Sequence, residues 1–567
     1  MLSDIEIARK AKLKPIKEIA ENLGIIEDEL EPYGKYVAKI ALSILKRLEN
    51  KPSGKLITVT AITPTPLGEG KTVTAIGLGQ ALHRLNKNVI NTMRESSKGP
   101  TFGIKGGACG GGYSQAVPME NINLHFTGDI HAVETASNLC ASAIDAHILH
   151  KNKLGLDPLN VTWRYCMDLN SRALRDIVVA LGGKQNGYPR QTGFDITVAT
   201  ETAAIHALTT GLKDLRERLA RTVVGYTYDG NPVTCEDLKV AGAMCVLLKD
   251  AIKPNLVQST ENHPIIVHGF PFANVAHGNN SVLADLIALK LADYVVTESG
   301  FGADCGFEKM VDVKCRQSGL KVDCGVVVAS VRALKMHGGA YVFKPGMSYS
   351  KIKAEVEREN LPALEKGCEN LAKNIAIVKK FGIPCVVAVN RFTSDSPREL
   401  ELVIKKALEA GADGAAISEC WAKGGEGAVE LAKEVLKAAE KPHQMKLLYP
   451  DELGIKEKIE AIACQIYGAD GVDFLPLAEK KIKLYTRLGY DKFPINMAKT
   501  HLSLSHDPSL KGVPRGFRVP VRDIRACVGA GFLYPLLGEM RTMPGLPSHA
   551  AFMDVDIDEE GNTIGLF

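Results

Sequence analysis

A β-prone segment that runs through a short loop into a helix is the feature of this chain that most restricts its fold. Residues Leu56–Ile62 (LITVTAI) are apolar and rich in β-branched side chains, and a helical pattern extends from Lys71 to about Leu85. A second β-prone segment, Asn88–Asn91, follows directly. A strand, a loop, a helix and another strand in this order favour a parallel sheet with helices on its faces.

The loop of this unit matches the phosphate-loop pattern GxxxxGK[ST], except that a threonine replaces the first glycine. Its residues are Thr65, Pro66, Leu67, Gly68, Glu69, Gly70, Lys71 and Thr72. Glycines let backbone N–H groups approach phosphate oxygens, and the start of the following helix adds partial positive charge. We expect Lys71 to reach the β- and γ-phosphates of a nucleotide and the Thr72 hydroxyl to bind Mg²⁺. An ordinary glycine-rich turn is the alternative interpretation.

Arg94 and Glu95 follow the second β-prone segment. In open α/β sheets, ligands bind outside the carboxyl ends of the strands. Arg94 is therefore placed to hold an anion beside the phosphate loop through a planar, bidentate contact. An ion pair between Arg94 and a neighbour such as Glu95 explains the same position equally well.

A second glycine-rich stretch covers residues 99–112 and contains seven glycines in fourteen residues. Glycines are costly in entropy unless the backbone must approach another group closely. Flexible spacers are usually polar, whereas this stretch includes Phe102, Ile104 and Cys109. The composition favours a backbone anion site or close packing against the phosphate loop.

Two histidines and an aspartate lie soon after, at His125, Asp129 and His131. These residue types are metal ligands, but a spacing of six residues does not place both histidines on one helix face. Contacts to a polar substrate, or a structural hydrogen-bond network, explain the segment better than a zinc site.

The rest of the chain continues the alternation of short apolar strands and helices. Further strand candidates are Ile265–Val267, Tyr294–Val296, Val326–Val328 and Cys385–Val389, and helix candidates are Ser281–Leu291 and Leu361–Phe381. Before the first strand, residues 3–50 have a helical pattern, with amphipathic stretches at Ile16–Leu23 and Val37–Leu48. We predict an α/β protein with a large P-loop NTPase-like domain and a mostly parallel sheet over residues 1–350, and two smaller α/β domains over 351–440 and 441–567.

Composition excludes several classes of protein. Lys plus Arg is 69 and Asp plus Glu is 65, so a net charge of +4 gives no reason to expect nucleic acid as a partner. No apolar run approaches the roughly 18 residues of a membrane span, and the N-terminus lacks a signal-peptide pattern, so we expect a cytoplasmic protein that binds no membrane. Thirteen cysteines without a CxxC pair argue against disulfides and against a cysteine zinc site.

These residues and several longer motifs resemble the formate–tetrahydrofolate ligase family, also called 10-formyltetrahydrofolate synthetases. The motifs are Thr63–Thr72 (TPTPLGEGKT), Gly103–Tyr113 (GIKGGACGGGY), Asn123–Val133 (NLHFTGDIHAV), Val223–Gly230 (VVGYTYDG), Asp250–Gln258 (DAIKPNLVQ), Ala292–Asp304 (ADYVVTESGFGAD), Val331–Gly339 (VRALKMHGG), Trp421–Gly427 (WAKGGEG) and Thr542–Pro547 (TMPGLP). They extend from near the start of the chain to near its end, so the resemblance covers essentially the whole sequence.

The resemblance implies an ATP-dependent ligase that joins formate to tetrahydrofolate and releases ADP and phosphate. Formyl phosphate is the implied intermediate, and the folate amine then attacks its carbonyl carbon. The implied cofactors are ATP with Mg²⁺ and a monovalent cation, K⁺ or NH₄⁺. The implied assembly is a homotetramer. A phosphate loop beside an arginine fits this chemistry, because formate offers almost no apolar surface and must be captured by charge.

By the same resemblance, Lys71 and Thr72 are the residues that contact the ATP phosphates and Mg²⁺. Arg94 is the clamp for formyl phosphate, and Glu95 belongs to the same site, near the monovalent cation. His125 and Asp129 are nominees for the group that takes the proton from the folate amine.

The folate site is implied in a similar way. Phe392, in the 351–440 domain, and Trp421 resemble the aromatic pair that sandwiches the pterin, since a flat heterocycle is held well by stacking. Phe301 and Asp129 are further folate-site candidates. The sequence departs from the family pattern at Ser96 and Lys98, which alters the loop after Arg94, and at Thr393, which affects the contacts of the pterin.

Two other classes of function remain open. A different phosphate-loop transferase or kinase acting on a small carboxylate would use Lys71, Thr72 and Arg94 but not Phe392 and Trp421. A nucleotide-dependent switch would use the loop to change shape and bind a partner. Substrate dependence separates them, because only a ligase needs both formate and tetrahydrofolate for strong ATP turnover. A ligase-like domain without activity is disfavoured, because the residues that the chemistry needs are present.

Overall fold

The computed structural model describes residues 2–104, 109–273, 276–343, 347, 349–538 and 540–566. Residues 105–108, in the middle of the second glycine-rich stretch, lie outside the described residues, so the anion site proposed for that stretch is described only in part. Over the described residues, none of the helices combines the length and the apolar character that crossing a bilayer requires.

The strands of the described chain are mostly short. In chain order they are β1 (Leu30–Pro32), β2 (Ala38–Ile40), β3 (Lys55–Ala61), β4 (Val89–Met93), β5 (Gly110–Gly111), β6 (Ser114–Val117), β7 (Leu156–Val161), β8 (Tyr165–Met167), β9 (Ile177–Val179), β10 (Arg190–Thr192), β11 (Phe194–Ile196), β12 (Val223–Thr227), β13 (Pro232–Thr234), β14 (Asn255–Ser259), β15 (Pro264–Val267), β16 (Tyr294–Glu298), β17 (Cys324–Ala329), β18 (Cys385–Asn390), β19 (Gly414–Ser418), β20 (Gly471–Phe474), β21 (Arg518–Val521), β22 (Asp523–Cys527), β23 (Phe532–Leu536), β24 (Asp556–Ile557) and β25 (Thr563–Ile564).

The α-helices range from a single turn to about twenty residues. In chain order they are α1 (Asp4–Lys10), α2 (Ile16–Asn22), α3 (Ser43–Arg47), α4 (Lys71–Arg84), α5 (Lys98–Gly103), α6 (Met119–Asn123), α7 (Asp129–Leu149), α8 (Glu201–Leu208), α9 (Leu212–Arg221), α10 (Ala241–Leu248), α11 (Val282–Leu291), α12 (Arg316–Ser318), α13 (Val331–His337), α14 (Lys353–Glu357), α15 (Leu361–Lys380), α16 (Pro397–Glu409), α17 (Cys420–Lys423), α18 (Val429–Ala439), α19 (Ile455–Ile462) and α20 (Pro476–Arg487).

One large sheet organises the molecule. Its main path runs in the order β1-β2-β14-β15-β4-β16-β3-β17-β18-β19, and β5 and β6 join it at β14. Neighbouring strands from β15 to β19 along this path are parallel, whereas β1, β2 and β14 add an antiparallel edge. The expectation of an α/β fold with a mostly parallel sheet is confirmed, and several two- and three-stranded sheets accompany it.

The parallel strands are buried, as expected for strands covered by helices on both faces. Every residue of β4, β15, β17 and β18 is buried, and β3 is buried after its first residue. Strands β18 and β19, from the 351–440 region, pair in register with β17 and so extend the sheet that begins in the 1–350 region. The three-domain division of the chain remains a prediction.

The expected helical character of residues 3–50 is only partly right. Helix α2 occupies the first amphipathic stretch, but the second is divided between β2 and the short helix α3. The backbone of Ala38 and Lys39 pairs with Leu256 and Asn255 of β14. Tertiary pairing therefore overrides the local helical pattern, because a strand between β1 and β14 satisfies its backbone groups on both sides and buries Ala38–Ile40.

The carboxyl ends of parallel strands lie at one edge of a sheet, and most of the predicted site residues follow such ends, whereas His125 follows α6 and Asp129 begins α7. The phosphate loop follows β3, Arg94 and Glu95 follow β4, and Phe301 follows β16. Phe392 follows β18 and Trp421 follows β19. The fold thus gathers segments from across the sequence at the edge where α/β proteins bind ligands.

Candidate active site

The phosphate loop connects β3 to α4 and is closed by its own side chains. Gly68 and Gly70 have positive φ values of 73° and 82°, which glycine adopts without strain. The buried carboxylate of Glu69 accepts hydrogen bonds from the backbone N–H of Thr65 (2.6 Å) and from its hydroxyl (3.1 Å). Burial raises the pKa of Glu69, and the charge of Lys71 opposes that shift. Helix α4 begins after Gly70 without a side-chain cap, so its first N–H groups remain available for an anion.

Two distant segments hold the loop from outside. Arg332 of α13 donates from Nη2 to the carbonyl oxygens of Leu67 (2.5 Å) and Gly68 (3.1 Å). Asn390, the last residue of β18, donates from Nδ2 to the carbonyl of Glu69 (3.0 Å). Three consecutive carbonyl groups of the loop are therefore fixed by side chains that lie more than 260 residues away in sequence.

Thr72 and Glu298 bring a hydroxyl and a carboxylate together at the start of α4. The Thr72 hydroxyl donates to Oε2 of Glu298, the last residue of β16 (2.8 Å). Both groups are oxygen donors of the type that Mg²⁺ prefers. Within the described residues, no group of three or more His, Cys, Asp or Glu side chains could hold a metal ion. A magnesium ion here would therefore be held by this pair together with nucleotide phosphates, as is usual for Mg²⁺.

Arg94 is held at the edge of the sheet with part of its guanidinium unused. Its Nη1 donates to the carbonyl of Pro271 (3.2 Å), and its buried Nε has no hydrogen-bond partner. Burial lowers the pKa of Arg94, and the nearby carboxylate of Glu298 opposes that shift. In the described part of the chain, Arg94 forms no ion pair with Glu95. This geometry favours the anion-binding interpretation of Arg94 over the ion-pair interpretation.

Glu95, the residue after Arg94, forms a buried acidic pair with Asp129. Oε2 of Glu95 is buried without a hydrogen-bond partner, and burial followed by the charge of Asp129 raises the pKa of Glu95 well above its usual value. Asp129 accepts from Lys39 Nζ (2.7 Å) and from Asn255 Nδ2 (2.8 Å). Lys39 and Asp129 are each only 1% exposed, so the ion pair lies in the interior.

The structure separates the two residues nominated for proton transfer. Asp129 is the first residue of α7 and points into the buried pair just described. His125 is exposed in the turn that precedes α7, where its carbonyl accepts the N–H of Gly128 (3.0 Å). The structure thus brings Asp129 to Glu95 and leaves His125 on the surface.

The three predicted folate-site aromatics have different local surroundings. The Phe392 ring lies under the guanidinium of Arg332, 3.7 Å from its centroid, and so shares a residue with the phosphate loop. The Phe301 ring is stacked on His501, with ring centroids 4.2 Å apart and planes inclined by 15°. The side chain of Trp421 is 40% exposed.

Trp421 explains part of the second glycine-rich stretch. The N–H of Tyr113 donates to the Trp421 carbonyl (2.9 Å). A Cβ atom added at Gly112 would clash with that carbonyl oxygen, and one added at Gly111 would touch the indole ring. Close packing is therefore present at Gly111 and Gly112, where the partner is Trp421.

Sequence reasoning missed four residues at this edge: Glu298, Arg332, Asn390 and His501. Two of them carried a signal, because Glu298 and Asn390 are polar residues that end otherwise apolar strands. Arg332 and His501 lie in a helix and in a loop, where no pattern marks their proximity to the site.

Comparison with known proteins agrees with this geometry. The family model described as formate–tetrahydrofolate ligase matches residues 2–567. A protein of Desulforamulus reducens named formate–tetrahydrofolate ligase is 61% identical, covering 100% of this chain and 99% of that protein. Proteins with the same name from Roseiflexus sp. strain RS-1 and Roseiflexus castenholzii are 55% and 54% identical, each covering 100% of both chains. This chain, matched along its whole length, belongs to the formate–tetrahydrofolate ligase family.

Proposed function

We propose that this protein joins formate to tetrahydrofolate at the expense of ATP, giving 10-formyltetrahydrofolate, ADP and phosphate. The observation that carries the proposal is the convergence of three features at one edge of the sheet. They are a phosphate loop held by distant side chains, a half-buried arginine whose buried Nε has no partner, and exposed or half-buried aromatic rings. Family membership supports the same assignment.

In the first step, a carboxylate oxygen of formate attacks the γ-phosphorus of ATP, the bond to the ADP oxygen breaks, and formyl phosphate forms. The N–H groups at the start of α4 and the Lys71 ammonium hold the phosphates. A Mg²⁺ ion held by Thr72 and Glu298 would neutralise charge on the phosphate oxygens. Arg94 is positioned for the anionic acyl phosphate, since its buried Nε has no other partner.

In the second step, the folate amine attacks the formyl carbon, and phosphate leaves with the electrons of the C–O bond. The amine proton must then be removed. Both oxygens of Asp129 are engaged, by Lys39 and Asn255, so we propose His125 rather than Asp129 as the acceptor. Its exposed position agrees with exchange of the proton with solvent.

Phe392, Trp421 and Phe301 are proposed to hold the ring system of tetrahydrofolate by stacking. The ring of Phe392 already lies against Arg332, which fixes it beside the phosphate loop. We further propose that the monovalent cation, K⁺ or NH₄⁺, binds at Glu95, because its buried Oε2 is unpartnered and a second carboxylate lies close by. A homotetramer is proposed from family membership.

The decisive experiment measures ADP release by the purified protein with Mg²⁺ and K⁺, omitting formate and tetrahydrofolate in turn. We expect turnover only when both are present, with formylated folate as the product. ADP release that needs formate alone would indicate a carboxylate kinase. Release that is indifferent to both substrates would indicate a nucleotide-dependent switch, and the assignments of the folate residues would fall with it.

A further inference from the structure

A segment from the C-terminal part of the chain, residues 499–512, reaches the same edge of the sheet. It begins at Lys499, whose ammonium forms an ion pair with Asp304 (2.7 Å), and the two side chains are 0% and 1% exposed. The same ammonium donates to the carbonyls of Thr500 (2.9 Å) and Ser503 (2.5 Å). Asp304 lies six residues after Glu298, so this end of the segment is fixed beside the loop that follows β16.

The other end of the segment is fixed to Thr63, two residues before the phosphate loop. The carbonyl of Gly512 accepts from Asn370 Nδ2 (2.8 Å), and its N–H donates to His337 Nδ1 (3.2 Å). Both side chains also hold the backbone of Thr63. Asn370 Oδ1 accepts its N–H (3.1 Å), and His337 Nε2 donates to its carbonyl (2.8 Å).

Between these two ends, the segment presents His501 to Phe301. The two rings are nearly parallel, with centroids 4.2 Å apart, and both side chains are half-buried. Phe301 has a φ of +65°, a conformation that a bulky residue rarely adopts. Such strain persists only where the surrounding structure imposes it, and it is concentrated at ligand clamps and active sites. The strained backbone and the stack are independent observations that mark the same position.

We propose that His501 is a positioning residue for substrate binding: stacked on one face of Phe301, it holds that ring so that the other face can pack against the flat ring system of tetrahydrofolate. This inference rests on the proposed function and extends it to a part of the chain that carries none of the predicted site residues. Phe301 lies three residues beyond Glu298, which contacts Thr72, so a ligand ring held on Phe301 is close to the phosphate site.

The chemistry of the pair agrees with a flat, polarisable ligand. His501 covers one face of Phe301 and leaves the ligand the opposite face, and a stacked contact there adds binding energy beyond the area it buries. The ion pair at Lys499 and the hydrogen bonds at Gly512 fix the segment before the ligand arrives, so little entropy is lost when the ligand binds.

The test compares three substitutions in the full-length protein: His501→Ala, His501→Gln and His501→Phe. A stacking role predicts that Ala and Gln raise KM for tetrahydrofolate about 2- to 10-fold, the change expected for one aromatic pair, while Phe stays near the unmodified protein. KM for ATP and for formate should change less than KM for tetrahydrofolate in all three. His506→Ala, five residues further along the same segment, is the matched control and should leave all three KM values unchanged.

Calorimetric titration of tetrahydrofolate in anaerobic buffer, without ATP, provides a second readout that does not depend on turnover. We expect the dissociation constant to follow the same order as KM. An unchanged constant in His501→Ala, or recovery by Gln but not by Phe, would overturn the inference. Absence of formylated folate in the unmodified protein would instead overturn the proposed function, so the two failures are distinguishable.

Discussion

His337 connects two segments through the two nitrogens of its imidazole ring. Its Nε2–H donates to the carbonyl of Thr63 (2.8 Å), and its Nδ1 accepts the N–H of Gly512 (3.2 Å). Burial lowers the pKa of His337 to about 4. A proton on Nδ1 would oppose the N–H of Gly512, so this geometry requires the neutral ring.

The requirement predicts a loss of stability in acid. Between pH 6.5 and pH 4 the unfolded chain binds a proton at this histidine and the folded chain does not, so the free energy of unfolding falls as the pH falls through this window. The shift corresponds to about 3 kcal/mol. His337→Gln keeps one donor and one acceptor without titrating, so we expect the variant to lose less stability in this range.

Urea unfolding of both proteins at pH 7, 6, 5 and 4 measures the difference. Buried carboxyls such as Asp395, whose pKa burial raises to about 6, titrate in both proteins and cancel in the comparison. Parallel stability profiles for the two proteins would show that His337 does not titrate as described.

Lys71 is the residue whose replacement should cost the most activity. Lys71→Ala removes the only lysine of the phosphate loop and should abolish ATP-dependent turnover while leaving the fold intact, because the loop is held through Glu69, Arg332 and Asn390 rather than through Lys71. Steady-state ADP release and thermal unfolding measure the two parts of this expectation. Lys87→Ala, at an exposed position just beyond α4, is the control. Retained turnover in Lys71→Ala would refute the phosphate-loop assignment.

At the scale of elements, α17 packs on the glycine-rich turn that links β5 to β6. Gly112 has a φ of +55° and leaves no space for a Cβ atom next to the Trp421 carbonyl. Gly112→Ala should therefore displace α17 and weaken the binding of tetrahydrofolate. Trp421→Ala should also weaken this binding, by about 1 kcal/mol or more, because one stacking contact is lost.

Separate KM measurements for tetrahydrofolate and ATP test this coupling. Both variants should raise KM for tetrahydrofolate far more than KM for ATP. Gly339→Ala is a matched control, since Gly339 also has a positive φ (+85°) but has no atom within 4 Å of the added Cβ. If Trp421→Ala raised KM equally for both substrates, the assignment of Trp421 to the pterin site would be refuted.

Elements with a strong local pattern were predictable from sequence. The β3-loop-α4 unit and the strands around β15 to β18 were located within a few residues, because short β-branched runs are bounded by turn residues. Strand β2 was not predictable in this way, because it pairs with β14, whose residues lie more than 200 positions away. Arg94 could be placed at this edge because it follows a parallel strand, and the carboxyl ends of parallel strands share one edge. The positions of Arg332 and His501 depend on tertiary packing, which no local sequence pattern indicates.

At the scale of the whole molecule, buried ion pairs join regions that are distant in sequence. Lys499 and Asp304 form one such pair between the C-terminal region and the loop after β16. Lys499→Met leaves the buried carboxylate of Asp304 without a partner charge, and we expect the free energy of unfolding to fall by about 3–5 kcal/mol. Adding Asp304→Asn to this variant should recover part of that loss, because the unpaired charge is gone.

Calorimetric unfolding of the two single variants and the double variant forms a double-mutant cycle. A coupling energy near zero would show that the pair does not join the two regions. Lys456→Met, which breaks the half-exposed pair with Glu479, is the control and should change stability by less than about 1 kcal/mol.

The contact between Asn390 and the carbonyl of Glu69 spans 321 residues of sequence. At about 5–20 residues per second, a ribosome needs roughly 16 to 64 s to synthesise that interval. During this time the nascent chain already contains the Lys71-Thr72 sequence but lacks the side chain that fixes the loop in front of it. The ordered form of the phosphate loop is therefore a late event in synthesis, because it waits for a strand that is encoded in the last third of the gene.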